Sequence, residues 1–242
     1  MNTSVEPDRG TQAGPFVTVA AWAGIIGPLL FTAAFLTQEA LRRDEFDPVT
    51  ETVSALEAGP HGWVQQVNFV IFGVLTILFA LGLHRAVPPT RRGIAGPAAL
   101  AISGAGLVLA AVLPLREDAA GSTYDPGGHV VAGVLFVGTS AVGLVLLSAR
   151  LGQGAGWQSL AWYCRAAGAV ALLGFVVMGS LVMPDDAPLH DWAGLLQRAL
   201  IIVVVFPCRM AIGVRMLRLS HGRTGPTEPT SRRREPRPAG RR

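Results

Sequence analysis

Three histidines, His61, His129 and His190, each stand at the entry to a long apolar stretch. Carboxylates and prolines accompany them, as Asp47-Pro48, Asp125-Pro126 and Asp186 with Pro188. Three imidazoles at similar depth beside carboxylates could hold Zn²⁺, because three histidines and a water form a catalytic zinc arrangement. Such a metal brings the pKa of its water to about 7 and supplies a hydrolytic nucleophile. His129 with Asp118 or Asp125 could instead form a proton-relay pair, since histidine titrates near neutral pH. None of the three histidines has a local partner of the HxxxH or HExxH kind that would fix a metal's geometry. Histidines at a polar rim are therefore the simpler reading. It requires no cofactor, with zinc as the alternative.

A second constellation comprises Asn68, Asp118, His129 and Arg198. Polar groups inside apolar stretches are costly, and tend to be functional or paired. Arg198 lies about one turn inside its stretch, just downstream of Asp185, Asp186 and Asp191, and a salt bridge to that loop would neutralise it. Arg209 lies near the other end of the same stretch, where its stem would let the guanidinium snorkel to lipid headgroups. Ser54 has no local base and reads as the cap of a short helix. No P-loop, GxGxxG, nucleophile elbow or CxxC pair occurs.

The elements that must position these residues are six apolar runs at about 17–38, 64–84, 94–114, 129–149, 161–183 and 193–214. Each has about 20 residues, the length a helix needs to cross roughly 30 Å of hydrocarbon. A soluble protein would show amphipathic helices with one polar face rather than runs apolar all round. Half of the 242 residues are hydrophobic, only 15% are charged, and the mean hydropathy is +0.44, as in multi-pass membrane proteins. Six crossings leave too little chain for a second core, so we expect an all-α, six-helix transmembrane bundle over 17–215. A tail of residues 1–16 and an Arg-rich tail of 216–242, expected to be disordered, flank it. The leader has Arg9 against Glu6 and Asp8, without the basic start of a signal peptide, so the first run is expected to be retained. Cys164 and Cys208 fall within runs near the same membrane face and are expected to be buried structural thiols. Gly133, Gly138 and Gly143 in the fourth run, and Gly168, Gly174 and Gly179 in the fifth, should allow close helix approach. Pro28 and Pro207 should kink their helices.

Charge gives the orientation. With the N-terminus inside, inner segments and the tail carry fifteen arginines, against Arg42, Arg43 and Arg116 outside. Without the tail the bias is still six against three. Positive charge favours the cytoplasmic side, so both termini are expected in the cytoplasm and the protein in the cell membrane. Twelve of the sixteen acidic residues fall in the outer connections. The basic tail suits anionic membrane lipid. Nucleic acid is not an expected partner, since no folded reader or aromatic interleaving accompanies the charge.

Phe46-Asp47-Pro48, then Val53-Ser54-Ala55-Leu56 and Gly59-Pro60, resembles the first outer loop of a bacterial membrane family known as domain of unknown function 998. Asn68, Gly73 and Gly82 match the helix that follows in that family. Pro114, Asp118 and His129 match its later loop, and Gly194-Leu195-Leu196-Gln197-Arg198 matches the start of its last helix. Gln197 stands where the family often has an acid, and Glu57 where it usually has a glycine. The resemblance covers about residues 17–215 and implies a six-helix integral membrane protein, with no reaction attached. We expect a small transporter, or a module binding a lipid, partner or small molecule, with an outward-facing site at Asn68, Asp118, His129 and Arg198. The alternatives are a metal-dependent hydrolase at His61, His129 and His190, and a scaffold acting through its basic tail.

Overall fold

Hydrocarbon offers no partner to a backbone N–H or C=O, so an apolar run that enters it must satisfy those groups within its own helix. The computed structural model describes residues 14–87, 93–154 and 156–221. It contains six helical spans with mean hydropathy between 1.8 and 2.5. They are built from α1 (Pro15–Leu41), α2 (Trp63–Ala86), α3 (Ala95–Val112), α4 (His129–Leu151), α5 (Gln158–Val177), α6 (Ala193–Ala199) and α7 (Phe206–His221). A π-helical segment, Met178–Val182, extends α5. A second, Leu200–Val205, joins α6 to α7 in one span, His190–Ser220. Two-residue strands β1 (Arg116–Glu117) and β2 (Thr123–Tyr124) form a small antiparallel hairpin between α3 and α4. The all-α six-span architecture expected from the sequence is what forms, with ends within about three residues for most spans. The tails beyond 14 and 221, including most of the Arg-rich segment, lie outside the described residues.

The spans close into a ring in chain order. α1 packs on α2, α2 on α3, α3 on α4 and α4 on α5, and the last span returns to both α5 and α1. Large apolar side chains such as Trp22, Leu29, Ile71, Val131, Leu173 and Val203 are exposed around the outside, as a lipid-facing belt requires. Exposed Trp63 and Trp192 mark one end of the ring and Trp162 the other, where interfacial aromatics belong. We call these the acidic end, with connections 42–62, 113–128 and 183–192, and the arginine-rich end, with the other connections. Inside, Phe31 stacks on Phe72 at 4.7 Å, and Phe206 meets Phe72 edge-on at 5.3 Å.

Without a hydrophobic drive in lipid, helices are held by close packing. The tightest backbone approach between two helices joins α2 to α3. A methyl on Gly73 would stand 2.6 Å from the Gly104 oxygen, and one on Gly104 2.6 Å from the Gly73 oxygen. Of the glycines expected to do this, Gly168 lies against the α4 backbone and Gly174 against Leu200. Gly143 touches Leu100, Gly138 makes ordinary contact with Phe175, and Gly133 and Gly179 face open space. Spacing alone does not say which face a small residue occupies. Pro28 sits within an unbroken α1. Pro207 follows the π segment: its ring denies the Val203 carbonyl a donor and crowds it, and the wider turn upstream accommodates this.

Cys164 and Cys208 are buried, with sulfurs 3.6 Å apart. Ser54 lies inside a 3₁₀ turn, Val53–Glu57, with its hydroxyl 3.0 Å from Thr52, and caps nothing.

Candidate functional site

The connection 42–62 covers the acidic end of the ring. Gly194 and Leu195, at the start of α6, donate their N–H groups to Thr50 and Val49 oxygens at 3.3 and 3.0 Å. A side chain on Gly194 would stand 2.2 Å from the Glu51 oxygen, so only glycine admits this seating. Gln197 Oε1 accepts the Val53 N–H at 2.7 Å, and Arg198 Nη1 donates to the Glu51 oxygen at 2.8 Å. From the other side, Arg42 Nη1 donates to the Leu56 and Ala58 oxygens at 3.2 and 3.0 Å. The 3₁₀ turn is thereby held with Glu57 pointing down into the protein.

Glu57 is buried, with its side chain fully covered. Its Oε2 lies 3.2 Å from His129 Nδ1 and accepts the Leu115 N–H at 3.4 Å, while Oε1 has no partner among the described residues. The same Nδ1 is 2.9 Å from the Leu113 oxygen, so it carries a proton shared between the two acceptors. Burial pushes the Glu57 carboxyl up to about 8, against the smaller opposing effect of the Leu115 N–H. Near neutral pH the contact is therefore a hydrogen bond to a protonated acid rather than an ion pair. Asp125 anchors the partner. Burial works against its ionisation, but the N–H groups of Val130, Gly127 and His129 outweigh it and hold the carboxyl below the usual range. It thereby caps α4 and fixes His129 at the helix start.

The same 3₁₀ turn, through Ala55 and Ala58, borders an open polar vestibule of about 210 Å³, lined also by Arg42, Glu45, Glu51, Pro60, Glu117, Gly121 and Thr123. Three carboxylates against one guanidinium give it a negative interior.

The sequence-derived site residues do not all converge. His129 is central. Asn68 is buried nearby, donating to the Phe31 oxygen at 3.2 Å and to Gln65 Oε1 at 3.1 Å, and its neighbour Phe69 lies beside the His129 ring. Asp118 is exposed in the β1–β2 turn, where it accepts the Ala120 and Ser122 N–H groups at 2.9 Å. Arg198 is paired, but Nε and Nη2 bind Glu39 Oε1 of α1, at 2.9 and 2.5 Å, rather than Asp185, Asp186 or Asp191. The ring brings the first and last spans together, so the acid comes from far along the chain. His61, His129 and His190 are not gathered either. His61 is exposed at φ 61° and His190 contacts the Val182 oxygen at 3.2 Å. Among the described residues no three His, Cys, Asp or Glu side chains are grouped to hold a metal. Arg209 does not reach for headgroups; it is buried and faces the ring interior. Glu57 was the residue missed, and its signal was the family departure itself: an acid where glycine is usual.

Six long apolar spans in a closed ring define a multi-pass integral membrane protein. Residues 25–211 match the family described as "Protein of unknown function (DUF998)", and the chain belongs to it. No curated protein and no solved structure matches the chain.

Proposed function

We propose that the protein is a small membrane transporter or solute-binding module whose vestibule takes a small amine-bearing cation from the outer side. The observation that carries this reading is the vestibule itself: an open polar chamber with three carboxylates, walled in part by the turn that carries a buried acid protonated near neutral pH. The positive-inside bias supports an orientation in which this end faces outward from the cytoplasmic membrane. Glu45, Glu51 and Glu117 would attract the ammonium group, and Arg42, spent partly on backbone carbonyls, would shape the wall. The hydrolase alternative has less support, because its three histidines stand apart. The scaffold reading depends on the tail, most of which lies outside the described residues.

The test is calorimetric titration of detergent-purified protein with a diamine, a quaternary ammonium ion and a matched carboxylate. We expect saturable binding of a cationic probe, weakened about tenfold in Glu117→Gln, which corresponds to loss of one charge contact of roughly 1.4 kcal/mol. Binding of the carboxylate alone, or of none of the three, would overturn the reading.

A further inference from the structure

Arg42 follows the last residue of α1, and its guanidinium lines the vestibule. Nη1 is committed to the Leu56 and Ala58 oxygens, and Nε is buried without a partner among the described residues. The Phe46 ring centre lies 5.9 Å from the guanidinium carbon. These contacts fix the plane of the group. Nη2 alone is left open, neither buried nor bonded to any described residue.

Glu117 lines the same chamber from β1, where pairing with β2 sets it opposite Thr123. No described residue donates a hydrogen bond to its carboxylate. The two charged groups are close: a methyl on Gly59 would stand 2.9 Å from Arg42 Nη2 and 2.6 Å from Glu117 Oε2. They nonetheless form no ion pair, for the pairs among the described residues are Arg198 with Glu39 and His129 with Glu57. Gly59 has φ +72°, a conformation that glycine adopts without strain, and any side chain there would enter the space beside both charges.

A guanidinium N–H and a carboxylate so placed match a solute with the opposite charges in the reverse order. An α-amino acid is such a solute, since its ammonium and carboxylate flank one carbon. Once it has met Arg42 and Glu117, the carboxylates of Glu45 and Glu51 remain on the wall. A second cation further along the solute would answer them. A chamber of about 210 Å³ suits a molecule of this size.

We propose that the solute of the vestibule is an amino acid with a basic side chain. Its carboxylate binds Arg42 Nη2, its α-ammonium binds Glu117, and its distal cation faces Glu45 and Glu51. The assignment rests on the vestibule being an amine site, and adds the carboxylate and the residue that recognises it.

The test is calorimetric titration of detergent-purified wild-type protein with L-lysine, L-lysinamide and 1,5-diaminopentane, at about pH 6, where all their amino groups are protonated. Lysinamide and the diamine carry more positive charge than lysine, so attraction by a negative chamber alone would rank lysine last. We expect the reverse, with lysine bound about tenfold more tightly than either, the effect of one charge-assisted hydrogen bond. Lysine bound no more tightly than lysinamide overturns the assignment and leaves the amine site standing. Binding of none of the three removes both. In Arg42→Gln we expect the preference for lysine to vanish, and a preference that persists in the folded variant also overturns the proposal. The wild-type ranking needs no variant, so it decides the matter even if Arg42→Gln does not fold.

Discussion

Glu57 has no escape to solvent: its backbone is held on both flanks by Arg42, and its carboxyl lies under the turn it belongs to. The pH dependence follows from its raised carboxyl. Below about pH 4.5 both folded and unfolded chains keep the proton, and the group is neutral to stability. Between about 4.5 and 8 the unfolded chain loses it while the folded chain retains it, so stability falls as pH rises through that window. Above 8 both forms are ionised, and the loss, on the order of 3–5 kcal/mol, is complete. Glu57→Gln keeps the shape without the charge. We expect it to flatten this slope, with an unfolding midpoint at pH 9 above that of the parent and little change at pH 5. A parent whose midpoint is level from pH 5 to 9 would contradict the assignment. His129 was legible in the sequence because it stood at the start of a long apolar run with acids upstream. Glu57 was not, since burial depends on how a loop folds back over the ring. Arg198 was seen as needing an acid, yet the acid came from α1. Sequence proximity favoured the local aspartates, and nothing local reveals that the first and last spans are neighbours.

At the level of helices, composition was enough to find all six spans, because each had to be apolar for its whole length. It was not enough to identify the close-packed faces. The contact that matters most to α2 and α3 is made by Gly73 and Gly104, which lie on different helices and share no motif. Gly104→Leu would drive a side chain into the Gly73 carbonyl, and overpacking of this kind costs about 1–3 kcal/mol or more. We expect the variant to lose several degrees in thermal midpoint, whereas Gly133→Leu, facing open space, should leave it unchanged. Equal effects at the two positions would mean that the α2–α3 approach is looser than described. The π segments were also illegible. A proline marks where a helix is perturbed, but not whether it answers with a bend or with a wider turn.

For the molecule as a whole, arginine asymmetry predicts that the vestibule opens away from the cytoplasm. Reporter fusions check this: an alkaline phosphatase inserted at Gly121, in the β1–β2 turn, should be active, and one placed after Ser220 should not. The opposite pattern would invert the orientation and place the chamber on the cytosolic side. The architecture was legible because an even number of spans with short connections leaves few arrangements.

The ring also has a seam. Most spans pack on the span before them, and the largest exceptions are where the last span meets the first and where residues 47–53 rest on α6. During synthesis each span can therefore dock on the one made just before it, a local and rapid step. The α1 surface at Ala20, Ala21 and Gly24, and the loop that roofs the acid, must wait for the final thirty residues of the bundle. A nascent chain stalled before α6 would leave Glu39 without the Arg198 guanidinium that pairs with it. The contacts that close the ring thus form only once its sixth span is made.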